Sequence, residues 1–193
     1  MSGQPREGTR RVVFALWPSD AERRALAAAT QAQIEAAAGR AVPLADLHVT
    51  LAFLGDVAAA RLGELAGLGQ QVAVSWQGPI PIELSFERLA CWRRPQILCV
   101  LERAPGESAA LLAGALKRAA LAAGFAPDLK PFRAHVTVAR KVVQLQSPET
   151  MEKVTWQSAA LALVESRSSA AGPVYSVLES QLLGKRKKVH EKQ

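Results

Sequence analysis

Two of the chain's three histidines are followed two positions later by threonine, in His48-Val49-Thr50 and His135-Val136-Thr137. Side chains two apart on an extended strand share a face, so each imidazole stands beside a hydroxyl, roughly 7 Å away at about 3.4 Å per residue. An imidazole titrates near neutrality and can take or give a proton. Two of them facing one another suit a reaction that needs a base on one side and an acid on the other. In-line displacement at phosphorus is such a reaction: an attacking water loses a proton while the leaving oxygen opposite gains one. Thr50 and Thr137 would then donate hydrogen bonds to the non-bridging phosphate oxygens. The guanidinium of Arg140, three positions after Thr137, would offset the developing negative charge. A single His-x-Thr is more often a structural hydrogen-bonded pair; the repetition is what argues for chemistry.

The elements that must carry the two motifs also repeat. Arg11 to Trp17 reads as an apolar strand, followed by a helix, an extended segment and His48. Gln96 to Leu101 is another apolar strand, again followed by a helix, an extended segment and His135. Val12 precedes His48 by 36 positions and Ile97 precedes His135 by 38. Matching order and near-equal spacing predict two copies of one supersecondary unit. Packed about a pseudo-twofold axis, the copies would line one central cleft with both His-Thr faces.

Length and composition bound the class. At 193 residues, 49% hydrophobic and 21% charged, the chain fits one bilobal domain with a substantial core. The formal charge of +7 is concentrated at the ends: residues 1–11 carry +2, residues 185–193 carry +4, and the body about +1. A general nucleic-acid surface is therefore not implied, and residues 1–10 and 185–193 are expected to be flexible tails. Local basic residues flank the repeats: Arg93 and Arg94, then Lys130, Arg133, Arg140 and Lys141. Cys91 and Cys99 lack metal or redox spacing, and neither a signal peptide nor a membrane-spanning run is evident. A reduced, cytoplasmic, monomeric protein is the expectation. No cluster of His, Cys and carboxylates stands at metal-ligand spacing, although two histidines from different strands could still join a carboxylate.

Taken in order, Ser19 and Glu22 form a capping-box pattern that starts a helix burying Leu26, Thr30 and Ile34 and ending at Gly39. The segment Leu47–Gly55 alternates as a strand, with His48, Thr50 and Ala52 on one face and Leu47, Val49, Leu51 and Phe53 in the core. Asp56 is expected to cap a helix with Leu62, Leu65, Leu68 and Val72 inside. Ile80 to Leu89 alternates as a strand, with Ile80, Ile82, Leu84 and Phe86 on one side. Past Pro105-Gly106, a helix presents Leu111, Leu112, Ala115, Leu116 and Ala119 inward and ends near Gly124. Ala159–Glu165 and Val174–Leu183 read as a closing hairpin with a long loop from Ser168 to Pro173. The sum is an α+β fold of mainly antiparallel sheets with helices outside.

The paired motifs His48-Val49-Thr50-Leu51 and His135-Val136-Thr137-Val138 resemble the two His-x-Thr-x signatures of the two-histidine (2H) phosphoesterase superfamily. The surrounding segments RRVVFALWPS, LHVTLAFLGDV, FRAHVTVARK and LVESRSSAAGPVYSVLESQLL resemble its RNA 2′,3′-cyclic phosphodiesterase branch, also called the 2′-5′ RNA ligase family. The resemblance implies a pseudo-symmetric two-lobed fold around a V-shaped cleft and metal-free hydrolysis of a terminal 2′,3′-cyclic phosphate to a 2′-phosphomonoester, without a cofactor. It implies His48 as proton donor to the leaving 3′ oxygen, His135 as the acceptor that activates water, and Thr50, Thr137 and Arg140 on the phosphate. Pseudo-symmetry alone does not assign donor and acceptor. His190 and the basic tail fall outside the matched part.

Aromatic side chains can stack on an unpaired base. Trp17, Trp92, Phe132 and Tyr175 are the candidates, each with a packing role as the plainer reading. RNA ends or small nucleotides are the expected partners. Three readings compete: the cyclic phosphodiesterase; the same cleft serving RNA ligation, small cyclic nucleotides or 2′-5′ oligonucleotides; and a non-catalytic RNA-end binder.

Overall fold

A computed structural model describes residues 8–103, 106–143, 150–169 and 172–184. Tail residues 1–7 and 185–193, with His190, lie outside it, as do Pro105 and the loop residues Ala170 and Ala171. Thr9 and Arg10 do not belong to a tail, because the first strand, β1, spans Thr9–Leu16.

The chain continues through α1 (Asp20–Ala36), β2 (Arg40–Ala41), β3 (Val49–Ala58), α2 (Leu62–Val74), β4 (Ile82–Trp92) and β5 (Ile97–Glu102). It ends with α3 (Glu107–Ala122), β6 (His135–Arg140), β7 (Thr150–Ser158), β8 (Ala160–Ser169) and β9 (Gly172–Leu182). These strands form two sheets, ordered β3-β1-β8-β9 and β2-β6-β5-β4-β7. Every strand pair described is antiparallel. The α+β class is as the sequence predicts, and each sheet carries one His-Thr motif.

The predicted capping box is present. Glu22 N donates to the Ser19 hydroxyl, and Ser19 N donates to the Glu22 carboxylate at 2.8 Å. Inside α1, buried Thr30 returns its hydroxyl to the Leu26 carbonyl at 2.9 Å. Helices α1 and α3 exchange sheets. α1 follows β1 of the first sheet but packs on β6 and β7 of the second, while α3 follows β5 of the second and packs on β3 of the first as well as β4. One main core results, holding Val12, Phe14 and Leu16 of β1 together with Val100 of β5, Val136 of β6 and Leu116 of α3. The opposite face of the first sheet carries a smaller cluster of Val13, Ala15, Ala162 and Val164, with Trp17 and Tyr175 against it. No helix among the described residues is long and apolar enough to cross a membrane.

Several expectations are corrected. In the β1–β3 ladder Ala15 faces Thr50 but Phe14 faces Ala52, so Leu51 is an extra, bulged residue; a second irregularity skips Leu54. A bulge reverses alternation beyond it. Ala52 therefore turns into the main core, and Phe53, expected there, is 40% exposed. Asp56 does not cap α2: β3 runs past it to Ala58, and its carboxylate pairs with Arg11 at 3.0 Å. Arg61 occupies that cap position without a side-chain capping bond, its guanidinium being turned to Glu64 instead. Leu111 of α3 is 62% exposed, and the buried stripe runs through Ala109, Leu112, Ala113, Leu116 and Ala120. Ile80 precedes β4 and is exposed. The strands of the closing hairpin run further than expected, since the β8–β9 ladder pairs Ser168 with Pro173 and Ser169 with Gly172. β7, an edge strand beside β4, is absent from the sequence expectations.

α2 crosses the first sheet at Gly69, where a Cβ would lie 2.7 Å from Phe14 Cε1 and 3.6 Å from Leu161 Cδ1. Overpacking a core costs about 1–3 kcal/mol, against a helix-propensity gain of about 1 kcal/mol for alanine over glycine. Gly69→Ala should therefore lower the urea midpoint without changing the slope, and a raised midpoint would refute this account of the helix–sheet contact.

Candidate active site

The two motifs are positioned by the same local device. In the β5–β6 ladder Cys99 faces Thr137 and Leu98 faces Ala139, which leaves Val138 as an extra residue. Leu51 and Val138 are thus bulged at the same place, one past the threonine, and both are buried. Strict alternation would turn Arg140 away from Thr137. The bulge returns it to the same face, opposite Ile97.

His48, Thr50, His135, Thr137 and Arg140 all line one cavity of about 200 Å³, together with Asp46 and Tyr175. The structure thus brings together both histidines, both threonines and the arginine singled out from the sequence. Of the six flanking basic residues, Arg140 alone lines the cavity. A larger cavity of about 620 Å³ lies on the far side of the motif strands, between α1 and apolar residues that include Leu47 and Val138. It contains none of the titratable motif groups.

Each imidazole is oriented by the backbone two residues before it. His48 Nδ1 donates to the Asp46 carbonyl at 2.7 Å, and His135 Nδ1 donates to the Arg133 carbonyl at 2.8 Å. The neutral tautomer is thereby set, and Nε2 is left as the unprotonated nitrogen on each ring. His48 Nε2 stands 3.2 Å from the Thr50 hydroxyl. Thr137 has Cys99 Sγ at 3.7 Å beneath it; burial pushes that thiol's pKa up to about 12, so it stays neutral.

The aromatic candidates divide. Trp17 stacks on His48 with centroids 5.5 Å apart and planes 21° apart, and Tyr175 lies 4.4 Å from the same ring on another side. Trp92 tilts against His135 at 4.8 Å. Phe132 is not brought to the cavity: it is half-buried and packs against the main core.

Two residues that sequence reasoning missed support His48. Asp46 is buried; besides its carbonyl, its carboxylate accepts from Tyr175 N at 3.0 Å, tying β9 to the turn before the motif. Arg23 is buried in α1 with its guanidinium 4.9 Å over the Trp17 ring, and it donates to Asp20 at 3.0 Å and to the Leu47 carbonyl at 3.4 Å. The only signal for either was position: a carboxylate two residues before the motif, and an arginine on the helix face otherwise occupied by Leu26 and Thr30.

Both histidines hold protons less tightly than a free imidazole. Burial is the main cause for His48, whose pKa is pushed down to about 4; the bond to the Asp46 carbonyl opposes this, and the nearby charges of His135, Arg140 and Arg23 add to it. Burial also lowers His135, opposed by its bond to the Arg133 carbonyl. The free site is thus a neutral imidazole pair beside a fixed cation, ready for an anion whose arrival favours protonation. Among the described residues, no group of three or more His, Cys, Asp or Glu side chains is placed to hold a metal ion.

A family model described as 2′-5′ RNA ligase superfamily matches residues 17–168, a span that includes both motifs. Three curated relatives are called RNA 2′,3′-cyclic phosphodiesterase. The chain is 35% identical to the Geobacillus stearothermophilus protein over 98 residues, 50% of this chain and 30% of that one. It is 32% identical to the Escherichia coli K12 protein over 106 residues, 53% and 56% of the two chains. It is 27% identical to the Aquifex aeolicus protein over 158 residues, 76% and 82% of the two chains. The matches to the first two thus span about a third and about half of those relatives' own lengths. Among solved structures, apo E. coli LigT superposes with a TM-score of 0.76 at 21% identity, over 92% of this chain and 99% of that one. LigT complexed with 3′-AMP gives 0.75 at 22% identity with the same coverage. These two likenesses speak to the fold alone, and they agree with the two-sheet arrangement described above. With the family model extending over most of the chain, the chain belongs to the 2′-5′ RNA ligase superfamily of two-histidine (2H) phosphoesterases.

Proposed function

We propose that this chain hydrolyses RNA 2′,3′-cyclic phosphate ends to 2′-phosphomonoesters by acid–base catalysis between His48 and His135. The observation that carries the proposal is the shared cavity, into which two imidazoles with backbone-fixed tautomers, two hydroxyls and Arg140 converge. The names of the three relatives support the same reaction.

In this mechanism Thr50, Thr137 and Arg140 hold the non-bridging oxygens of the cyclic phosphate. Neutral His135 Nε2 takes a proton from water as the water oxygen bonds to phosphorus. The bond from phosphorus to the 3′ oxygen breaks on the opposite side, and that oxygen takes a proton from His48 Nε2. The 2′ ester remains. The cyclic phosphodiester is an anion, so its entry favours the protonated His48 that the empty, buried site disfavours. Trp17, Tyr175 and Trp92 hold the imidazole planes, while Asp46 and Arg23 brace His48 from behind. The proton transfers in this proposal run through the two imidazoles and call on no metal. A second reading, action on small cyclic nucleotides, is favoured by the limited cavity volume and by the 3′-AMP complex of LigT.

His48→Ala and His135→Ala should each lower turnover by about 10² to 10⁴, and the double variant should be little worse than the worse single. Product analysis on an oligonucleotide ending in 2′,3′-cyclic phosphate should show a 2′-phosphate; turnover that survives both substitutions, or that disappears on chelation, would exclude this mechanism. The donor assignment has its own test. A substrate with sulfur in place of the leaving 3′ oxygen departs without protonation, because thiolates are better leaving groups. It should restore much of the rate to His48→Ala and little to His135→Ala, and the reverse pattern would exchange the roles.

The pH dependence follows from the burial of both rings. A bell in kcat/KM is expected with both limbs below the ordinary histidine value of 6.5, its apparent values belonging to the coupled pair. The limbs of kcat should lie higher, because bound phosphate favours the protonated rings. A kcat/KM profile still rising beyond pH 6.5 would contradict the electrostatic account.

A further inference from the structure

The cavity has one arginine in its wall, and a second stands next to it. Arg40 of β2 is the direct cross-strand partner of Arg140 in β6. Directly opposed residues of an antiparallel pair project from the same face. Since Arg140 lines the cavity, Arg40 stands on the cavity side of the second sheet, where it is exposed to solvent. Like charges opposed across a ladder repel, and neither arginine has an ion-pair partner among the described residues. Such a pair is stabilised by an anion placed against it.

The reach of Arg40 places that anion. A Cβ built on Gly172, the first residue of β9, would lie 2.7 Å from Arg40 Nη2, so only glycine lets the hairpin and the guanidinium approach this closely. Tyr175, three residues along β9, lines the cavity. Arg40 therefore reaches from the edge of the second sheet to the hairpin of the first, close to the cavity that Arg140 and Tyr175 line.

We propose that Arg40 binds the internucleotide phosphate next to the reacting end, and so makes the protein prefer an RNA strand over a mononucleotide. This rests on the cyclic-phosphodiesterase reading for its substrate. A mononucleoside cyclic phosphate has only the group that fills the cavity. A strand carries a second phosphate, and Arg40, opposite the cavity's own arginine, is placed to meet it.

The test compares wild type, Arg40→Gln and Arg40→Lys on adenosine 2′,3′-cyclic phosphate and on an adenylate pentamer ending in 2′,3′-cyclic phosphate. The ratio of kcat/KM, pentamer over monomer, should fall about tenfold in Arg40→Gln, the weight of one charge-assisted hydrogen bond, and less in Arg40→Lys. The slope of log affinity against log salt for the pentamer should fall by about 0.7, as for one lost contact to a single strand. An unchanged ratio in both variants overturns the proposal. Binding of the same pentamer ending in a 2′-phosphate, compared with adenosine 2′-monophosphate, separates the two levels. If wild type hydrolyses neither substrate but Arg40→Gln still loses pentamer binding selectively, the phosphodiesterase reading fails and the subsite stands. If pentamer binding is equal in wild type and variant, the subsite fails whatever the catalytic result.

Discussion

A strand in strict alternation cannot present a residue and its third neighbour on one face, and the site depends on relief from that rule. One extra residue after each threonine, Leu51 in β3 and Val138 in β6, supplies the relief. Both are apolar and buried, so packing against the main core holds the irregularity in place. Up to the bulge, imidazole and hydroxyl share a face by ordinary alternation. Beyond it the phase is reversed, and the residue three past the threonine returns to that face: Arg140 in the second copy, the exposed Phe53 in the first. The two copies share their geometry here but not their chemistry.

Placing the copies against one another is the work of the core. Because α1 packs on the second sheet and α3 reaches back to the first, the apolar faces of both sheets belong to one cluster. The separation of the two imidazoles is then set by buried volume rather than by a linker. The polar ties point the same way. Asp46, in the turn that leads into the first motif, accepts from β9, and Trp156 of β7 donates to the Glu22 carbonyl of α1 at 3.1 Å. A change in packing far from the cavity would alter the gap between the two imidazoles.

The parts that could be read from the sequence are those with a local cause. The capping box at Ser19 needs only two residues in register, and the His-x-Thr pairs need only the pleat. The helix stripes follow from period alone, except where a small residue such as Ala113 takes the buried position and leaves Leu111 outside. Bulges are not local in this sense, because they exist in the pairing of two strands. Phe53, Ala52 and the facing of Arg140 were therefore not derivable from alternation. The two-residue strand β2 is too short to leave a periodic trace, so Arg40 carried no sequence signal. Asp46 and Arg23 acquire their roles only when the turn, β9 and α1 meet.

Pseudo-symmetry makes the two imidazoles look equivalent, and their surroundings make them different. Each gives its Nδ1 proton to a carbonyl two residues back. His48 alone is enclosed by two aromatic rings, with Arg23 behind one of them, whereas His135 has Trp92 on one side. Burial weighs more heavily on the first ring, and its pKa lies at about 4. A group that holds its proton so weakly is a strong acid whenever it is protonated, and it is rarely protonated in an empty site. For the proposed reaction, both properties suit a donor that acts only after an anionic substrate has entered and restored its proton. In the proposed reaction the asymmetry of packing, laid over a symmetric pair of motifs, gives the two histidines separate roles.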